Sequence, residues 1–285
     1  MEIWLIYAII SAISAGFYAF MAKVMAERKY NISLAMIYAY FLSAILSGVY
    51  YFYFKQGAFV NWKLVLYLAI GNSLFYFIST VARVKGLKHI DTVIFFPIYK
   101  VIGPVLITII SFFYFSENLN IKEGLGILIG IFIPLLLITQ TEQLIQKNLK
   151  KGIIFIIITA ICTSISSFFS KQVLTNDLNV ESYVFISMLA GIFFSFISYK
   201  FIQKNNSHDN KKGLVFFASI LAITHLISFL TFTKALIGNL AVVYTVNSFS
   251  ILVVVILAIF FYKEHFSFKK GIVIILSIIS ILLFI

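Results

Sequence analysis

The chain is 285 residues long, 62% hydrophobic and only 11% charged, with a mean hydropathy of +1.05. Soluble domains carry about 25% charged residues, so too little polar surface exists here to cover a water-soluble globule, and a soluble enzyme is excluded. The single cysteine excludes a disulfide framework and a cysteine-built metal site, and the formal charge of +12 reads first as membrane topology and headgroup contact.

Long apolar runs alternate with short charged connectors. The predicted spans are 3–22, 33–54, 63–82, 92–115 and 121–140, then 152–174, 182–201, 213–233, 240–262 and 271–285. Each has 15–24 residues, against the ~20 that cross the hydrocarbon core of a bilayer. Helices satisfy their own backbone groups in lipid, so the expected fold is an all-α integral membrane protein with ten transmembrane helices. Met1-Glu2 offers no basic n-region and the first run is too long for a signal peptide. The longest polar stretch, 203–212, reads as a loop. The expected division is a first repeat over 1–140, a connector over 141–151 and a second repeat over 152–285.

The halves resemble one another. Ser11-Ala12-Ile13 with Lys23 returns as Thr159-Ala160-Ile161 with Lys171, at an offset of 148. Lys85-Gly86-Leu87 returns as Lys234-Ala235-Leu236 at 149, and Phe113-Tyr114-Phe115-Ser116-Glu117 as Phe260-Phe261-Tyr262-Lys263-Glu264 at 147. An odd number of helices per repeat inverts the second copy in the membrane, the design of secondary transporters with a midplane site between the repeats.

On these motifs the whole chain resembles the EamA-type ten-helix permeases of the drug/metabolite transporter superfamily. The marks are the paired turns Ser116-Glu117-Asn118-Leu119 and Lys263-Glu264-His265-Phe266, each followed by a Gly-bearing final helix, with Lys23 and Lys171 closing the first helix of each repeat. The resemblance implies that helices 1–4 and 6–9 of each such chain surround a central cavity, with helices 5 and 10 outside.

Polar residues at helical spacing mark faces turned inward, because such groups are costly against lipid. In chain order these are Ser11, Ser14 and Tyr18; Tyr40, Ser43, Ser47 and Tyr50; Asn72, Tyr76, Ser79, Thr80 and Arg83; Pro97, Lys100, Pro104, Thr108 and Ser111. The second half offers Thr159, Thr163, Ser166, Ser167 and Ser170; Ser187, Gly191, Ser195 and Ser198; His225 and Ser228; Tyr244, Asn247 and Ser248. Spans 5 and 10 lack such stripes and show Gly126-x-x-x-Gly130 and Gly271, Ser277, Ser280 instead. Most single serines here read as packing residues. The glycine pair reads as a packing face, within the chain or against a second copy, which leaves open a homodimer through helix 5 or 10.

Lys100 costs most, since it lies deep in the fourth span while nearly every acidic residue sits in a connector. Pro97 and Pro104 flank it and predict a helix broken on both sides of a buried cation. The alternative for Lys100 is a snorkelling side chain. Arg83 reads as an anion clamp or a headgroup contact, and His225 as a proton relay or a packing residue. Under the repeat, Tyr76 pairs with His225 and Lys100 with Asn247. Glu117 and Glu264 read as turn residues at the start of the next helix. The candidate substrate-binding set is Lys100, Tyr99, Tyr76, Asn72, Arg83, Tyr40, His225, Tyr244 and Asn247.

Enzyme signatures are missing: no His-Glu-x-x-His, Gly-x-Ser-x-Gly or Gly-x-x-x-x-Gly-Lys-Ser/Thr occurs. No catalytic residue, cofactor or metal is expected, and the dispersed charge offers no nucleic-acid face. Of the 22 Lys and Arg residues, 16 fall in odd-numbered connectors and 5 in even ones. This argues for cytoplasmic odd connectors with both termini outside, whereas the resemblance implies termini inside. The expected function is a secondary permease in a bacterial-type plasma membrane, moving a small anionic or zwitterionic metabolite such as an amino acid, an organic or sugar phosphate or a nucleotide-like solute. A non-transporting scaffold, which predicts no cavity at Lys100, and a flippase for a lipid-linked headgroup are the alternatives.

Overall fold

A computed structural model describes residues 2–28, 30–55, 61–87, 89–90, 92–136, 148–201, 211–262 and 268–285. Its elements are α1 (Ile3–Glu27), α2 (Ile32–Val49, continued by a π-helical turn over Tyr50–Lys55), α3 (Trp62–Gly86), α4 (Thr92–Phe113), α5 (Ile121–Leu136) and α6 (Leu149–Thr175). They continue as α7 (Val180–Phe201), α8 (Lys211–Ala235), α9 (Leu240–Ser248), α10 (Ser250–Tyr262) and α11 (Phe268–Leu282). The ten spans are thus found, α9 and α10 together forming the ninth. Eight are long and apolar enough to cross a bilayer, while α5 and α11 have 16 and 15 residues. The 263–266 turn with Glu264 and the 141–147 part of the connector lie outside the described residues.

Asparagine starts many of these helices. Asn31, Asn148, Asn179 and Asn239 stand immediately before α2, α6, α7 and α9 and accept from the backbone N–H of Leu34, Lys151, Ser182 and Ala241 at 2.7–3.1 Å. Before α5, Asn120 and Glu123 each accept the other's backbone N–H at 2.8 Å, a capping box. These bonds satisfy donors that the helix itself leaves open.

The broken helix is not where the prolines predict it. α4 runs through Pro97 and Pro104 as one helix. The interruption falls in the ninth span at Phe249, whose N–H bonds to Val246 O at 3.1 Å, a three-residue step. No glycine or proline marks this place. The hydroxyls of Thr245 and Ser248 donate to the carbonyls of Ala241 and Thr245 at 2.8 and 2.6 Å, local bonds that compete with the helical ladder.

The helices pack across the repeats. α1 lies along α8 and α3 along α6, two pairs that the repeat exchanges, and α2 faces α7. α4 rests on α6 as α9 and α10 rest on α1. Two mixed bundles result, one of α3, α4 and α6 with α7 packed on α3, the other of α1, α8, α9 and α10 with α2 packed on α8. Small polar residues tie these contacts. Ser11 Oγ donates to Ser228 O at 2.9 Å, Ser43 Oγ to Ala222 O at 3.0 Å and Ser73 Oγ to Ser187 O at 2.9 Å, and the hydroxyls of Ser33 and Ser198 lie 2.8 Å apart. Most stripe serines therefore hold helices together, at about 0.6 kcal/mol each on average.

α5 and α11 lie outside the bundles, packed on each other. The glycine pair is filled within the chain: a Cβ at Gly126 would meet the Phe284 ring at 2.6 Å, and one at Gly130 would meet Thr245 Cγ2 at 2.4 Å. Ser280 Oγ adds a bond to Gly126 O at 2.7 Å. Large apolar side chains such as Phe41, Phe193 and Phe216 cover the outer surface, as a lipid-facing wall requires.

Candidate functional site

A cavity of about 370 Å³ lies between the two bundles, walled by α1–α4 and α6–α10. All nine candidate residues line it: Tyr40, Asn72, Tyr76, Arg83, Tyr99, Lys100, His225, Tyr244 and Asn247. α5 and α11 contribute nothing to the lining.

The middle of the cavity is aromatic. Tyr76 and His225, which the repeat exchanges, touch with ring centroids 5.4 Å apart. Residues related by an approximate two-fold meet only near its axis, so this contact locates the symmetry centre. Tyr18, Tyr40 and Phe229 stand around the same imidazole at 5.2, 5.3 and 6.2 Å. Tyr40 can lie there because Gly191 has no side chain, a Cβ at that position falling 2.5 Å from the ring. Tyr18 was on the polar stripe of the first span but outside the candidate set, and the i, i+4 spacing from Ser14 is the signal that marks it.

The cations gather toward the odd-connector end. The Arg83 guanidinium sits 5.4 Å and the Lys100 ammonium 5.6 Å from the centroid of the Tyr99 ring. Lys100 Nζ donates to Ser250 Oγ at 3.0 Å, directly after the interruption at Phe249. The fourth span thus carries the cation and the ninth the backbone break, each facing the other. Arg83 Nε is buried without a hydrogen-bond partner. Tyr99, Tyr244 and Thr163 line the same cavity.

Two candidates are held by structural bonds. Asn72 Nδ2 lies 2.9 Å from Ser166 O, 2.8 Å from Ser166 Oγ and 3.1 Å from Ser170 Oγ, so its amide group fastens α3 to α6. Asn247 Nδ2 donates to Ser11 Oγ at 2.8 Å and fastens α9 to α1.

The even-connector end is closed by a clasp. Glu117 does not serve its following helix α5, where Asn120 and Glu123 already form the cap. Its Oε2 accepts from Leu240 N at 2.8 Å, at the start of α9, and from Ser111 Oγ at 2.5 Å. Its Oε1 meets Lys171 Nζ at 2.5 Å, and that ammonium also donates to Leu236 O and Gly238 O at 2.8 and 3.0 Å. Ser116 turns the chain with φ at 52°, a conformation that favours glycine, and aims Glu117 back across the bundle. Lys171, which closes the first helix of the second repeat, is thus a buried partner. A second pair, Lys234 Nζ to Glu181 Oε1 at 2.8 Å, lies at the same end. α4 packs on α9 there and, among the described residues, has no comparable packing on α10.

Three comparisons bear on what this arrangement is. No curated protein matches the chain. A crystal structure described only as that of a protein is similar in fold, with a TM-score of 0.74 over 97% of this chain and 95% of its own at 14% identity. The sequence model of the EamA-like transporter family matches twice, over residues 2–139 and 150–285. With ten spans, two inverted repeats and a central cavity, the chain belongs to the EamA-like transporter family of the drug/metabolite transporter superfamily and is a multi-pass membrane transporter of that type.

Proposed function

We propose that the chain is a secondary transporter that moves a small polar metabolite, anionic or zwitterionic, through the cavity by alternating access. The observation that carries this reading is the pair of cations, Arg83 and Lys100, on a cavity whose lining, among the described residues, includes no aspartate or glutamate. A lipophilic cation would find no counter-charge there. Pores that carry solutes in secondary transporters place their sites at the midplane between repeats and beside interrupted helices, and the break at Phe249 next to Lys100 fits that pattern. The cavity also speaks against a scaffold, for which the polar stripes would close on each other.

The moving units are the mixed bundles and not the two repeats, because each repeat packs mainly on the other. The clasp of Glu117 and Lys171 would open to release solute at the even-connector end. We place the odd connectors in the cytoplasm of a bacterial-type plasma membrane. Lys171 and Lys234, both counted against that orientation, are spent on buried or half-buried ion pairs, so the charge bias is steeper than the bare sequence suggests.

Proteoliposomes holding the purified protein and loaded with a mixture of small organic acids, phosphates and amino acids test this reading. Efflux of at least one solute above protein-free liposomes is expected, and its loss in Lys100→Gln at equal insertion. Efflux that never exceeds the control, or that Lys100→Gln leaves intact, overturns it.

A further inference from the structure

We infer that the ligand of this cavity is an organic anion carrying a planar ring, and that zwitterions are rejected. The inference rests on the transport reading above and narrows its solute class. Its first support is a contrast among the interior cations. Lys171 has Glu117 and Lys234 has Glu181, each within 2.8 Å. Among the described residues Arg83 and Lys100 have no such partner: Lys100 Nζ meets the hydroxyl of Ser250, and Arg83 Nε is buried with no hydrogen bond. Two cations beside one tyrosine ring repel each other, and a guanidinium in a low-dielectric site is costly until an anion neutralises it. Arg83 supplies a planar fork suited to a carboxylate or phosphate, and Lys100 a point charge.

The second support is the separation of charge from aromatic surface. Tyr76 lies two helical turns from Arg83 on the same helix, on the order of 10 Å along the axis. Around Tyr76, the rings of Tyr18, Tyr40, His225 and Phe229 form a continuous aromatic wall. A ligand that satisfies both levels has an anionic head and a ring at the end of a short chain. The volume of about 370 Å³ holds on the order of a dozen waters at ~30 Å³ each, which fits a ring with a short acidic side chain.

The third support concerns what the site withholds. An α-ammonium next to a bound carboxylate would stand beside Arg83 and Lys100 with no lining carboxylate to meet it. The acceptors on offer are neutral hydroxyls and the amide oxygens of Asn72 and Asn247, whose nitrogens donate to helix contacts, and neutral acceptors do not offset two cations. Zwitterions therefore lose on the same charges that attract anions.

Four probes of similar size separate these elements: 3-phenylpropionate, phenylalanine, 3-phenylpropan-1-ol and hexanoate. Their affinities are read as the concentration dependence of thermal stabilisation of the detergent-purified full chain. 3-Phenylpropionate is expected to bind at least tenfold more tightly than each of the others. Arg83→Gln and Lys100→Gln should each weaken it tenfold or more, and Arg83→Lys, which keeps the charge, should recover part of the loss even where Arg83→Gln folds poorly. Phenylalanine equal to 3-phenylpropionate overturns the rejection of zwitterions. Hexanoate equal to it overturns the role of the ring. Binding unchanged in both glutamine variants, or no stabilisation by any probe, overturns the assignment of the head site. Lys100-dependent efflux of some other solute without 3-phenylpropionate binding refutes this inference and leaves transport standing; binding without any efflux refutes transport alone.

Discussion

Replacing Glu117 by glutamine keeps the shape of the side chain and removes its charge. The carboxylate holds three donors in place, the Lys171 ammonium at 2.5 Å, the Ser111 hydroxyl at 2.5 Å and the Leu240 N–H at 2.8 Å. The two side chains are 8% and 16% exposed, so solvent does little to replace the lost partner. Breaking a buried pair from one side costs about 3–5 kcal/mol. Lys171 keeps the carbonyls of Leu236 and Gly238, which places Glu117→Gln at the lower end, about 3 kcal/mol. At about 2 °C per kcal/mol for a chain of this size, the melting temperature of the purified protein should fall by about 6 °C. Lys171→Met should cost a similar amount, because it strands the carboxylate instead. The double variant Glu117→Gln/Lys171→Met removes both charges and should lose no more than the worse single variant. A double variant that loses the sum of the two would show that the charges are uncoupled, and Glu117→Gln melting like the wild type would refute the clasp altogether.

Gly191→Ala should drive its Cβ against the Tyr40 ring, now 2.5 Å from that position, at a cost of about 1–3 kcal/mol for overpacking. Tyr40 would be displaced toward His225, so ligand stabilisation should weaken more than the ligand-free melting temperature falls; unchanged binding would exclude Tyr40 from the ligand wall. Orientation is open to impermeant maleimide labelling of intact cells in a Cys162→Ser background. Asn118→Cys, in an even connector, should label from outside and Asn206→Cys, in an odd one, only after lysis; the reverse pattern would place the termini in the cytoplasm.

The spans and the cavity lining were legible because both follow from local cost. Apolar length sets where the chain crosses, and a polar residue at helical spacing cannot face lipid. Tyr40, Tyr76, His225 and Lys100 are marked on that ground, and the offsets of the repeat pair Tyr76 with His225, whose rings touch in the cavity. What escaped depends on distant partners. Nothing local tells Glu117 to reach Leu240 and Lys171 and leave the cap of α5 to Asn120. The break at Phe249 has no proline or glycine, and arises from serine and threonine hydroxyls, whereas α4 absorbs two prolines without interruption. Asn72 lines the cavity as expected, yet its amide serves Ser166 and Ser170, a division of labour that spacing alone does not express.

The packing of each repeat on the other also sets a condition on how the protein is made. When the ribosome finishes residue 140, the partners of α1, α2 and α3 do not yet exist, because they are α8, α7 and α6. Ser43 waits for a carbonyl 179 residues further on, and Asn72 for acceptors 94 and 98 residues away. The first five helices therefore enter the bilayer with the packing of α4 on α5 as their main mutual contact, and the interior is assembled once the second half arrives. Continuity of the chain at the connector adds little to that interior, while the arrival of residues 152–285 supplies nearly all of it. Biogenesis of this transporter is thus closer to the association of two subunits than to the folding of successive domains.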